Sequence, residues 1–205
     1  MNITITCYGH SCFKVEKDGY SIILDPYKKG SVPGTELPDD LEADRVICSH
    51  QHGDHNAAER VRITSHSRPC ISVSFITVPH DDAGGTKRGM NNIAVMDTGK
   101  IRIVHFGDIG RECTEEEYEQ LSGAEVLMIP AGGFYTIDAE TAKKIASRIN
   151  PRIVILMHFR RGNAGYDVLA SESEIRNSFP ELSNRGHILV IDEENPEKLV
   201  CTMQF

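Results

Sequence analysis

The sequence predicts an α/β sandwich, two mixed β-sheets with helices on the outside. Three observations carry that expectation. Short strand-like segments with turn residues between them fill the first half of the chain. Apolar strands separated by capped helices fill the second half. No apolar run approaches the roughly 18–20 residues that span a bilayer.

The elements follow in order. Ile3-Thr4-Ile5-Thr6-Cys7 alternates with period two, the signature of a half-buried strand. Ser11 to Val15 and Tyr20 to Leu24 flank Lys17-Asp18-Gly19, whose Asp-Gly marks a hairpin. Pro26, Pro33 and Pro38, with interspersed glycines and acids, make 26–43 a loop. Arg45 to Cys48 is a short buried strand running into His50, and Ile71 to Val78 is another strand. Asn92 to Met96 and Ile101 to Phe106 form a hairpin around Thr98-Gly99-Lys100. Thr114-Glu115-Glu116-Glu117 is a capping box opening a helix to about Leu121. Ala124 to Ile129 is an apolar strand, and Asp138 caps a helix through Ala142, Ile145 and Ala146 that ends before Pro151. Arg152 to Met157 is a buried strand, and Ser171-Glu172-Ser173-Glu174 repeats the capping box. His187 to Ile191 and Leu199 to Met203 close the chain as strands. With 205 residues and no internal repeat, residues 1–205 read as one domain.

Composition narrows the function classes. Hydrophobic residues make up 40% and charged residues 25%, which excludes collagen-like, disordered and membrane-bundle chains. The balance of 22 basic against 30 acidic residues, a formal −8, repels phosphate backbones and argues against nucleic-acid binding. Small anionic substrates stay open, because a bound metal inverts the local charge. The six cysteines form no C-x-x-C pair, which disfavours zinc-ribbon and thioredoxin-like readings. The start, Met1-Asn2-Ile3-Thr4, has no basic-then-apolar pattern, so a cytoplasmic location with reduced thiols is expected.

One segment carries chemistry. Ser49-His50-Gln51-His52-Gly53-Asp54-His55-Asn56 places three histidines and an aspartate within six positions after an apolar strand. Imidazole and carboxylate are the donors that first-row metals prefer. In an extended run His50 and His52 point to one side and can share an ion. A turn at Gly53 then aims Asp54 and His55 toward a second position.

The H-x-H-x-D-H order resembles the signature of the metallo-β-lactamase-fold hydrolases. The segments Tyr8-Gly9-His10-Ser11-Cys12-Phe13, Leu24-Asp25-Pro26 and Pro130-Ala131-Gly132-Gly133-Phe134 look like the branch containing ascorbate-6-phosphate lactonase and many other metal-dependent hydrolases. The resemblance implies a four-layer αββα sandwich. It implies one metal held by His50, His52 and His80, a second held by Asp54, His55 and His158, and Asp108 bridging them. His80, Asp108 and His158 each follow an apolar strand, where rigid backbone fixes loop side chains. The metals implied are two divalent ions, zinc first, with manganese or iron as options. Histidine rather than glutamate at position 52 lowers an oxygen-reductase reading.

Catalytic roles fall on Asp54 and on His10, which has a family counterpart near the metals and reads as a substrate-facing or proton-handling group. Asp25 reads as a residue that orients the motif loop, and His105 as a core or supporting group. His66 and His187 read as surface residues. Gly132-Gly133 either lets backbone approach the substrate or only forms a tight turn. Asp81-Asp82 reads as a solvated loop, and Arg160-Arg161 either as an exposed basic turn or as a grip on a phosphate or carboxylate. The function expected is a dinuclear metal-dependent hydrolase in which a hydroxide attacks a lactone or phosphate ester. A phosphodiesterase or nuclease, and a metal-binding regulatory domain without turnover, are the alternatives. The partner expected is a small-molecule substrate, with no membrane; self-assembly is left open.

Overall fold

The computed structural model describes residues 2–65 and 68–205; His66 lies outside the described residues. Its chain starts as a meander. β1 (Asn2–Cys7), β2 (Phe13–Lys17) and β3 (Tyr20–Leu24) pair antiparallel in sequence order. A two-stranded parallel pair, β4 (Glu42–Ala43) and β6 (Arg62–Ile63), brackets β5 (Arg45–Ile47), which runs parallel to β3. β7 (Ser72–Pro79), β8 (Met90–Asp97) and β9 (Arg102–His105) form a second antiparallel meander.

The second half changes to parallel pairing across helices. α1 (Glu115–Leu121) leads to β10 (Val126–Pro130), α2 (Ala139–Ile149) to β11 (Ile153–Met157), and α3 (Glu172–Ser178) to β12 (Ser183–Arg185). β13 (Ile188–Asp192) returns to pair antiparallel with β1, and β14 (Leu199–Met203) lies parallel beside β11. The result is a five-stranded sheet, β13-β1-β2-β3-β5, facing a seven-stranded sheet, β12-β14-β11-β10-β9-β8-β7.

Side-chain alternation builds the layers. Ile3 and Ile5 of β1 and Ile22 and Leu24 of β3 meet Met96, Met128 and Ile155 in the core between the sheets. Every residue of β10 and β11 is buried, which explains their unbroken apolar runs. Their alternate residues, Leu127, Ile129, Val154 and Leu156, face outward against Tyr118, Leu121, Ile145 and Ile175 of the helices.

All three helices start as their caps predict. Thr114 and Ser171 each form a reciprocal capping box, and the Asp138 carboxylate accepts from the Thr141 N–H. The other outer layer differs from the implied four-layer arrangement. Over the five-stranded sheet the described cover is loop, the short β4–β6 pair and one 3₁₀ turn at Ala58–Arg60, packing Tyr27, Val32, Leu37, Leu41, Ala43 and Val61 on Cys12 and Ile23. The prolines at 26, 33 and 38 account for this, since each deletes a helix donor and restricts its predecessor. No helix among the described residues is long and apolar enough to cross a membrane.

This topology creates one functional edge. β1, β3 and β5 are mutually parallel, as are β7, β9, β10 and β11. The segments leaving their C-terminal ends therefore converge at one rim, carrying His10, Asp25, His50, His80, Asp108 and His158.

Candidate metal centre

The structure gathers every metal-ligand candidate at that rim. Ligand atoms of His50, His52 and His80 lie within 4.8 Å of one another, and so do those of His10, Asp54, His55 and His158. Asp108 stands between the two groups. Its Oδ2 lies 3.4 Å from His80 Nε2, 3.3 Å from His55 Nε2, 3.2 Å from His158 Nε2 and 3.9 Å from His50 Nε2. One carboxylate oxygen surrounded by four imidazoles suits a bridging position.

The route to this geometry differs from the extended run expected for 50–52. Residues 49–55 are bends and turns, closed by His55 N–H donating to His52 O at 3.0 Å. His50 and His52 still meet, with ring centroids 4.6 Å apart, while His52 is exposed and His50 buried.

Asp25 fixes the turn. Its carboxylate accepts from Ser49 N–H at 2.6 Å and Ser49 Oγ at 2.7 Å, and pairs with His55 Nδ1 at 2.8 Å. His50 Nδ1 is held by Ser49 Oγ at 2.9 Å. In both rings the tethered Nδ1 leaves Nε2 aimed inward, the arrangement that orients an imidazole for a metal. The inward Nε2 atoms of His50, His55 and His158, and Asp108 Oδ1, are buried without a hydrogen-bond partner. Buried polar atoms rarely lack partners. This donor set therefore fits divalent cations.

Asp108 is set from behind. Its N–H donates to Asn91 Oδ1 at 2.9 Å, and Asn91 Nδ2 donates to Phe106 O at 2.8 Å. Gly107 adopts φ +53°, and a Cβ there would overlap Asn91 Oδ1 and Ser49. At Gly132 a Cβ would overlap the His158 carbonyl, so a side chain there would displace a candidate ligand. His10, Asp25 and His158 all take left-handed backbone, at φ 55°, 46° and 54°. Such strain in non-glycine residues collects at functional sites.

Electrostatics divide the cluster. Burial pushes the His10 imidazole down to about 4 and His50 down to about 3. Burial also opposes a charge on His55, but Asp108 and Asp25 outweigh it and hold that imidazole well above its ordinary range. Burial would raise the Asp108 carboxyl, yet His158 and His55 hold it far below the usual carboxylate range. Asp54 is likewise held low against burial, by its contact with His10 at 3.4 Å and by His55. Bound cations would take over the countercharge that protonated imidazole supplies here.

A cleft of about 220 Å³ opens onto His52, Asp54, His80 and Asp108, walled by Arg88, Tyr135 and Tyr166. Tyr166 donates to Ser31 O at 2.6 Å and reaches Asp54 Oδ2 at 3.2 Å. Sequence reasoning missed Tyr166, Arg88 and Asn91. Tyr166 is 112 positions from Asp54, so no local spacing signals it.

Other expectations sort as follows. His105 is buried and bonds Ser11 O at 2.9 Å, a supporting role, and His187 is exposed against Tyr8. Asp82 is an exposed acid paired with Lys87 at 2.8 Å. Asp81 corrects the solvated-loop reading. It is buried and accepts four backbone N–H bonds, from Ala83, Gly85, Lys87 and Arg88, so it organises its loop. Arg161 turns away from the cleft to Glu172 and Met203 O, and Arg160 does not line it.

Residues 4–158 match the family model of the beta-lactamase superfamily domain. The chain belongs to that superfamily. It is 26% identical over 192 residues to a UPF0173 metal-dependent hydrolase of Ignicoccus hospitalis, covering 77% of this chain and 82% of the relative. Against the Methanocaldococcus jannaschii UPF0173 metal-dependent hydrolase it is 28% identical over 189 residues, covering 76% and 83%. The solved structure of a metallo-beta-lactamase superfamily protein from Thermotoga maritima superposes with TM-score 0.77 at 27% identity, over 98% of each chain. Igni18, a metallo hydrolase from Ignicoccus hospitalis, shares the fold at TM-score 0.65 and 20% identity, over 88% of this chain and 91% of that one. This superfamily member is thus a metal-dependent hydrolase with a buried His/Asp cluster.

Proposed function

We propose that the protein is a dinuclear hydrolase of lactones or phosphate esters. The observation that carries this is the single Asp108 oxygen lying between two sets of inward-facing imidazoles. His50, His52 and His80 would hold one cation, and Asp54, His55 and His158 the other, with Asp108 bridging. Zinc suits the donors, and zinc dependence is ascribed to the Thermotoga maritima protein. Bound there, the two cations would supply Lewis acidity and water with a pKa lowered toward neutrality.

The chain's own groups supply the rest. Asp108 and Asp54 bring the negative charge that lets two cations share a small volume. His10, buried and kept neutral by that burial, sits 3.4 Å from Asp54 and packs against His158 at 4.0 Å between centroids, the rings tilted by 43°. A neutral imidazole in that place can accept a proton and return it to a leaving oxygen. Tyr166 lines the cleft with its hydroxyl anchored between Ser31 O and Asp54 Oδ2. Tyr135 and Tyr166 narrow the opening, which favours small substrates over polymers. The likeness of 8–13 and 130–134 to the ascorbate-6-phosphate lactonase branch favours the lactone arm. The setting is cytoplasmic in this reading, which suits six unpaired cysteines.

A screen tests it. Protein stripped with chelator should hydrolyse neither a panel of lactones nor bis(4-nitrophenyl) phosphate, and zinc or manganese should restore at least one activity. Restored metal binding with no hydrolysis of either class would support the non-catalytic metal-binding alternative instead.

A further inference from the structure

We propose that Arg88 selects anionic substrates: its guanidinium, laid on Tyr135 at the wall of the cleft, pairs with a carboxylate or phosphate group that the substrate carries beside its scissile bond. This deepens the hydrolase reading above and rests on it.

Position comes first. Arg88 is the one basic side chain lining the cleft onto Asp54, His80 and Asp108 among the described residues. It also lines a neighbouring recess of about 360 Å³, which shares His80 and Tyr135 with the cleft. Arg88 therefore stands where the reacting end of a substrate meets the rest of it.

Availability comes second. The guanidinium carbon lies 4.5 Å above the centroid of the Tyr135 ring. A guanidinium held over a ring by cation–π attraction uses no N–H donor on that ring's edge, and its donors can take a bidentate oxyanion. No carboxylate pairs with Arg88 among the described residues, whereas Lys87 is tied to Asp82 and Arg161 to Glu172.

Rigidity comes third. The loop from His80 to Gly89 is closed at its base by His80 N–H donating to Gly89 O at 3.0 Å. Inside it the Asp81 carboxylate accepts from the Arg88 N–H at 2.7 Å and from three other backbone N–H groups. Gly110 approaches so closely that a Cβ would overlap the His80–Asp81 backbone. The backbone of Arg88 is thus fixed relative to His80, so an anion bound by Arg88 has a set position relative to the reacting group. Preorganisation of this kind lowers the entropy cost of binding.

The test uses γ-butyrolactone, its 5-carboxylate and its 5-(phosphooxymethyl) derivative with metal-loaded wild type, Arg88→Gln and Arg88→Lys. Arg88→Gln should lower kcat/KM for the charged lactones by about 10- to 100-fold, the span of a charge-assisted hydrogen bond. The loss should fall mainly on KM, the neutral lactone should change by less than about threefold, and Arg88→Lys should recover part of the loss. The two charged lactones show whether carboxylate or phosphate is the preferred group. Equal losses on neutral and charged lactones, or no loss, overturn the proposal. A second readout needs no turnover: phenyl phosphate and phenylacetate titrated calorimetrically into metal-free protein. Binding that Arg88→Gln weakens at least about tenfold supports the assignment even if no lactone is cleaved, in which case the hydrolase reading fails alone. Binding equal in both proteins, or absent from wild type at millimolar ligand, overturns it. Unchanged metal content in Arg88→Gln shows that the site itself is intact.

Discussion

Asp108→Ala should lose at least about 10²-fold in hydrolysis and should retain no more than one tightly held cation. The expectation follows from geometry. Asp108 Oδ2 is the atom within 3.4 Å of His55, His80 and His158 alike, and no other described carboxylate occupies that place. In the proposed site its removal takes away both the bridge and the charge that would offset two neighbouring cations. Misplacing a reacting group by about 1 Å can cost 10²-fold. The fold should survive, because Asp108 belongs to neither the core between the sheets nor the core under the helices. Asp82→Ala, at an exposed acid paired with Lys87, should keep wild-type metal content. Circular dichroism and elemental analysis of both variants check this. An Asp108→Ala protein with two ions and full rate would remove Asp108 from the site.

Asp25→Ala should cost both stability and metal affinity. The substitution strands Ser49 N–H and His55 Nδ1, whose residues are 2% and 0% exposed, and leaves Ser49 Oγ only His50 Nδ1 as a partner. Breaking one side of a buried charged pair costs on the order of 3–5 kcal/mol. Loss of a group that orients a metal-ligating histidine typically costs 10–100-fold in metal affinity. Backbone conformation adds to the effect, because Asp25 sits at φ 46°, a region asparagine tolerates and alanine does not. Asp25→Asn therefore isolates the charge: it should regain much of the thermal stability but not the full affinity. Thermal melts and competitive chelation of the three proteins measure both quantities. Wild-type affinity in Asp25→Ala would show that His55 needs no orienting partner.

Much of this molecule was legible in its sequence because the signals are local. β10 and β11 are continuous apolar runs, buried on both faces, and the capping residues Thr114, Asp138 and Ser171 set their helices as their side chains dictate. The cluster His50 to His55 is dense enough to be read directly, whereas His80, Asp108 and His158 are picked out by the family resemblance, each at the end of an apolar strand. Signals that depend on distant packing were not legible. β4, β6 and β12 have two or three residues each, too few to show any period. Arg88 looks like any surface arginine until the Asp81 loop folds it onto Tyr135. Arg160 and Arg161 sit next to His158 in sequence, yet chain direction after His158 carries Arg161 to Glu172 instead. Proximity along the chain and proximity in the site part company where a strand ends and the loop turns.

The measurement that bears most directly on the central claim is the number of metal ions per chain. Protein loaded with excess zinc, freed of loosely bound metal by gel filtration and analysed by plasma mass spectrometry against amino-acid concentration, should hold two ions per chain. His52→Ala should reduce that number to about one, because it removes a ligand from the His50–His80 group only. Two ions in the wild type and one in the variant is the result the account predicts. A wild-type chain that saturates at one ion or none would contradict the dinuclear site and the bridging role of Asp108 together.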